Sequence, residues 1–221
     1  MRGFNVCYDC RALCKLDFFL LFTSSDTAIT MENGVNGEST NGSSELSRPS
    51  IIVPGEKSVT LSWFQLEQET KLLQQKLAAT SDITQQTIVI AIANSIEFVS
   101  IYLAITNQRG IAAPLNPSYK ENEFSFYLED VKAAMVIVPK GAYTANSDPV
   151  RAAKKYGSGI AECYWDGQTV VLDIVVQKEQ TNGQHKAASD IEPLETDIAL
   201  LLHTGGTTGK PKAVSCFVPV N

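Results

Sequence analysis

Long apolar runs are missing from this 221-residue chain: none approaches the roughly 18 residues that a membrane-spanning helix requires. Positive charge is short as well. Against 24 Asp and Glu stand 18 Lys and Arg, giving a formal net charge of −6 and an isoelectric point near 5.0. That balance argues against a nucleic-acid footprint, which is usually basic. Cysteines number 5 and histidines 2. Cys7, Cys10 and Cys14 cluster, but a structural zinc site needs four ligands, and neither His185 nor His203 lies near them in sequence. Cys163 and Cys216 stand alone, so the thiols read as reduced and unpaired in an intracellular protein. What remains is a soluble chain with 44% hydrophobic and 19% charged residues, enough for a sizeable core in one large or two small domains.

The most informative stretch runs from Leu200 through His203 and Thr204-Gly205-Gly206-Thr207-Thr208-Gly209-Lys210-Pro211-Lys212. An apolar strand pattern enters a loop of glycines, hydroxyls and lysines. Glycines free the backbone to present successive N–H groups to a ligand, which makes an anion site. Thr204, Thr207 and Thr208 add hydroxyl donors, and Lys212 or Lys210 adds positive charge. The combination suits a polyphosphate. A Walker loop is excluded by spacing, because it would need Gly at 204 and Ser or Thr at 211. Pro211 and the strand-like run 214–218 instead predict that the loop joins two strands.

Upstream, residues 1–48 read as a separate extension or disordered segment, Gly/Asn/Ser-rich from Glu32 to Ser44. Leu16–Phe22 follows Arg2, Arg11 and Lys15, but no small-residue cleavage pattern follows it. Residues 1–30 are open to three readings: an upstream extension, a weak targeting segment or a mistaken start. Order is expected from about Ser58. Ser62 with Gln65 makes a capping box, and Trp63, Leu66, Thr70, Leu73 and Leu77 recur on one helical face. Thr87–Ala93 reads as a strand buried on both faces, with Asn94 capping a helix that carries Phe98, Val99, Tyr102 and Leu103 and stops by Gly110. A strand at 111–115 follows, then a helix capped by Ser118 with Glu121, bearing Phe124, Tyr127, Leu128 and Val131. A strand at 134–138, a helix opened by Asp148-Pro149 and running to about Tyr156, and strands at 160–164 and 169–176 complete the series. This alternation predicts an α/β fold with a largely parallel sheet flanked by helices. Residues 177–189 read as an exposed connector, and His185 within it as a surface residue.

Thr204–Lys212 resembles the phosphate-binding signature of adenylate-forming enzymes, the acyl-CoA synthetase, coumarate–CoA ligase and luciferase superfamily. Asn94-Ser95-Ile96-Glu97-Phe98 and Pro114-Leu115-Asn116-Pro117 resemble further stretches of the same family, in the same order. His203 is similar to the peroxisomal acyl- or oxalyl-CoA synthetase branch. Gly205 stands where Ser is usual and Ala213 where Gly is usual. The resemblance implies that residues 58–214 form the N-terminal part of the AMP-binding (adenylation) domain, with 215–221 an atypical end. It implies ATP and coenzyme A as co-substrates, Mg²⁺ on the phosphates, a small carboxylic acid as the activated substrate, and a cytoplasmic or peroxisomal location. Phosphate contacts are assigned to Thr204, Gly205, Gly206, Thr207, Thr208, Gly209 and Lys212, with Lys210 an auxiliary solvated charge. No catalytic residue and no metal ligand is assigned. Glu192, Glu195 and Asp197 are expected to be a solvated approach rather than a Mg²⁺ cluster, and His203 to pack or orient rather than act as a base.

Family members continue well past this loop, so the resemblance implies a fragment that binds ATP poorly and does not turn over alone, with apolar edge and face exposed. A competing reading makes the chain a non-catalytic nucleotide-binding or regulatory module, or a degenerate gene product.

Overall fold

Two short strands, β1 (Pro49–Val53) and β2 (Val59–Ser62), pair antiparallel ahead of helix α1 (Trp63–Thr80). Strand and helix then alternate: β3 (Thr87–Ile90), α2 (Ile96–Asn107), β4 (Ile111–Pro114), α3 (Glu121–Asp130), β5 (Met135–Pro139) and α4 (Asp148–Tyr156). Strands β6 (Gly159–Trp165), β7 (Val170–Val176), β8 (Ile198–Thr204) and β9 (Lys212–Phe217) follow. The computed structural model describes residues 47–53, 58–80, 82–178, 192–204 and 211–217.

Seven strands form one sheet in the order β7-β6-β5-β3-β4-β8-β9. The inner five run parallel, while β7 and β9 turn back antiparallel at the two edges. The apolar runs explain the centre. All four residues of β3 are buried, as a parallel strand covered on both faces requires. Alternate residues serve opposite cores. Ile88 and Ile137 face α1 and α2, packing with Leu66, Leu73, Phe98 and Tyr102. Val89 and Val136 face α3 and α4, packing with Phe124, Leu128, Val150 and Ala153. The connections leaving β3 and β4 therefore rise to opposite faces, which opens a crevice at the carboxyl ends of the parallel strands, where ligands of open α/β sheets bind.

The expected α/β alternation holds, and the box at Ser62 forms as predicted: Ser62 N–H donates to Gln65 Oε1 at 2.8 Å and Gln65 N–H to Ser62 Oγ at 3.2 Å. Several boundaries differ. Ordered structure begins before Ser58, because β1 precedes it. Strand β3 stops at Ile90 rather than Ala93. The cap of α2 is Ser95, whose side chain accepts from Phe98 N–H, and not Asn94. Helix α3 starts after Lys120, whose N–H donates to Glu123 Oε2 at 2.8 Å. The box expected at Ser118 does not form, because Asn116 Oδ1 already accepts the Ser118 N–H in a local turn. Ser147, not Asp148, is the N-cap of α4, and Gly157 closes that helix at φ 86°, a left-handed cap that suits glycine.

Candidate functional site

Strand β8 brings the proposed phosphate loop to the carboxyl edge of the sheet. Its residues alternate: Leu200 and Leu202 belong to the core under α1 and α2, and Leu201 to the core under α3. Strand β9 pairs with it antiparallel over Ile198↔Phe217 to Thr204↔Lys212. The loop therefore joins two strands, as its Pro211 predicted, and no helix follows it as one would follow a Walker loop. Thr204 and Lys212 stand opposite each other at the mouth, with Lys212 exposed. Gly205, Gly206, Thr207, Thr208, Gly209 and Lys210 lie outside the described residues, as do Cys7, Cys10, Cys14 and His185.

At its entry β8 is tied by charge. Arg109 donates from Nε to Asp197 Oδ2 at 2.8 Å and from Nη2 to Asp197 Oδ1 at 3.0 Å, a bidentate pair. Asp197 Oδ2 also accepts the Leu194 N–H at 2.7 Å. The Arg109 hydrogen bond is the main reason the Asp197 carboxyl sits below the usual carboxylate range; burial opposes it, and the Leu194 bond assists. Asp197 is 3% exposed, so it is not part of a solvated approach. The physical reason is Arg109, which sits 88 residues away at the end of α2 in a left-handed conformation of φ 58°. Glu192 and Glu195 are exposed, and among the described residues no group of three or more His, Cys, Asp or Glu is placed to hold a metal. That bears on a clustered metal centre alone, since Mg²⁺ is commonly held by one or two carboxylates together with substrate phosphates.

At its exit β8 is tied by His203. Nε2 lies 2.9 Å from Asp130 Oδ2 at the end of α3, and the ring packs on Tyr127 at 4.6 Å between centroids. Nδ1 is buried without a hydrogen-bond partner among the described residues. Packing and orientation, the role expected from sequence, match these contacts. Asp130, Tyr127 and Arg109 were missed as partners of this strand, and no local pattern could have found pairs 73 and 88 residues apart. Burial foremost, with Glu97 nearby, pushes the Cys163 thiol up to about 12, the opposite direction from an activated thiolate.

Known proteins agree with this architecture. Residues 42–216 match the family of AMP-binding enzymes. The chain is 35% identical over 146 residues to an oxalate–CoA ligase of Saccharomyces cerevisiae, covering 59% of this chain and 27% of that protein. It is 34% identical over 122 residues to an oxalate–CoA ligase of Arabidopsis thaliana, covering 55% of this chain and 23% of that one. It thus spans about a quarter of the length of these two curated relatives. Apo MatB from Rhodopseudomonas palustris superposes with a TM-score of 0.56 at 19% identity, over 72% of this chain and 30% of that one, a likeness of fold alone. Among the described residues no helix is long and apolar enough to cross a membrane. With most of its length inside the family match and its parallel sheet shared with solved members, the chain belongs to the AMP-binding enzymes, the adenylate-forming superfamily.

Proposed function

We propose that this chain carries the phosphate-gripping part of an AMP-forming carboxylic acid–CoA ligase. In that reaction a carboxylate oxygen attacks the α-phosphorus of ATP and pyrophosphate leaves. The thiol of coenzyme A then attacks the acyl carbon and AMP leaves. The share assigned to this chain is positioning and charge neutralisation at the phosphates. Backbone amides and hydroxyls of Thr204, Gly205, Gly206, Thr207, Thr208 and Gly209 would hold the polyphosphate, with Lys212 supplying positive charge. Mg²⁺, when it arrives with the nucleotide, neutralises phosphate charge. The observation that best supports this reading is the β8–β9 frame, which sets Thr204 opposite Lys212 at the carboxyl edge of a parallel sheet.

Oxalate is the first acid to test, because two relatives are named oxalate–CoA ligases. The chain covers about a quarter of each, so the 221 residues are expected to bind nucleotide weakly and to show no oxalate-dependent exchange of pyrophosphate into ATP. The decisive measurement is a MgATP titration of the isotopically labelled chain, followed at backbone amides. Saturable shifts at residues 204–212 with millimolar affinity, weakened in Lys212→Ala, are expected. Shifts confined to other parts of the sheet would overturn the reading.

A further inference from the structure

Little ladder holds the inner side of β8. Among the described residues the single pair Ala112 with Leu200 fixes its register against β4. Besides its ladder with β9 and the core packing of Leu200, the strand that roots the proposed phosphate loop is tied by side chains at its two ends. The entry is held by Arg109 and Asp197. The exit is held by His203, one residue before the first proposed phosphate contact.

We propose that His203 is a positioning residue for the nucleotide tail: clamped between Asp130 and Tyr127, it sets the direction in which β8 leaves the sheet. This rests on reading 204–212 as a phosphate loop.

The chemistry of the clamp is asymmetric. A carboxylate only accepts, so the Nε2 that faces Asp130 carries the proton and donates. Nδ1 is buried and has no hydrogen-bond partner among the described residues. Here the ring is 5% exposed while Asp130 is 41% exposed, so a buried donor reaches outward to a carboxylate that water would otherwise solvate. The anchor is firm, because α3 is fixed by the fully buried Phe124 and Leu128. Ring rotation is limited by Tyr127, itself stacked on Tyr119 at 5.3 Å from the β4–α3 connection. Across the hairpin His203 pairs with Ala213, next to Lys212. A displacement of His203 would move both sides of the mouth, Thr204 and Lys212, together. Misplacement of a positioned group by about 1 Å can cost orders of magnitude in function.

The test uses the 221-residue chain, MgATP and inorganic tripolyphosphate, with affinities read from amide shifts at 204–212. Asp130→Ala and His203→Ala are expected to weaken both ligands about tenfold. His203→Gln, whose amide nitrogen reaches the place of Nε2, is expected to restore most of the loss. A merely structural role would not show that rescue. Hydrogen exchange at Ala213 and Val214 gives a ligand-free readout and should quicken in both alanine variants and not in His203→Gln. Wild-type binding with no change in the alanine variants overturns the clamp and leaves the phosphate reading standing. An equal loss in His203→Gln and His203→Ala also overturns it. No wild-type response at 204–212 removes the phosphate reading, and the clamp as a nucleotide-positioning device falls with it.

Discussion

The two wings of the sheet are fastened by different chemistry. On the β5–β6–β7 side, carboxylates accept from backbone amides. Glu162 takes the N–H groups of Gly141 at 3.0 Å and Tyr143 at 2.8 Å, and Glu97 takes that of Trp165 at 2.8 Å. Glu69 takes the Val170 N–H at 2.8 Å and the Thr169 hydroxyl at 2.5 Å, while Asp166 gathers the amides of Gln168 and Thr169. On the β4–β8–β9 side the long-range ties run between side chains, Arg109 to Asp197 and His203 to Asp130, with only the local Leu194 N–H added at Asp197. Amide donors do not titrate and are fixed by the fold itself. A side-chain pair needs two groups in the right ionisation or tautomeric state, and each adds rotamers to be ordered. The first wing is thus built as scaffold. The second carries the proposed site on a strand held at its ends, with an outer strand whose Val214 and Phe217 are 44% and 60% exposed.

Removing the core that both wings share should erase the contrast. Phe124 is fully buried under α3, the helix that also presents Asp130 to His203. Phe124→Ala is expected to cost about 3–5 kcal/mol in chemical denaturation, and to loosen both wings together. If amide exchange rises only around β8 and β9, α3 belongs to the second wing alone and the division has to be redrawn.

A cut confined to the scaffold wing sharpens the contrast. Glu69 is nearly buried on α1 and holds the start of β7. Glu69→Ala leaves the Val170 N–H without its acceptor, at an expected cost of about 1–3 kcal/mol. Exchange should quicken at 169–172 and stay unchanged at 198–204. Equal quickening at both places would show one cooperative unit in place of two wings.

How far these features were legible from residue order follows the same division. The strands β3, β4 and β5 announce themselves because a parallel strand covered twice must be apolar throughout, and the box at Ser62 and Gln65 is a contact three residues long. Caps were misplaced where neighbours compete. Asn94 and Ser95 both suit the position, and Ser118 was already committed to a turn by Asn116. Strand β1 escaped because five residues beginning with proline carry little pattern of their own until β2 pairs with them. Glu69 fell on the apolar stripe that was read from Leu66, Thr70 and Leu73, yet its burial depends on a partner 101 residues away. The ties of β8 were invisible for the same reason. A motif displays the loop it forms, and the pairs that aim the loop come from elsewhere in the chain.

The smallest effect expected on the whole molecule isolates the second wing through pH. Asp197 titrates below the ordinary carboxylate range because Arg109 bonds both of its oxygens. A folded value lower than the unfolded one, which lies near 3.9, gives stability that is present above that pH and lost as pH falls through the folded value. Asp197→Asn keeps an acceptor for Leu194 and removes the charge. At pH 7 it should lower Tm by roughly 3–6 °C and quicken exchange mainly at 198–200. Below about pH 4 wild type surrenders the same interaction, so the difference between the two melting curves should narrow as acid is added. The scaffold ties include carboxylates too, so the falling limb itself is common to both proteins and only the narrowing belongs to Asp197. A gap that stays constant down to the folded value would mean that the Arg109 pair is held by packing and not by charge, and the chemical distinction between the wings would reduce to one of distance along the chain.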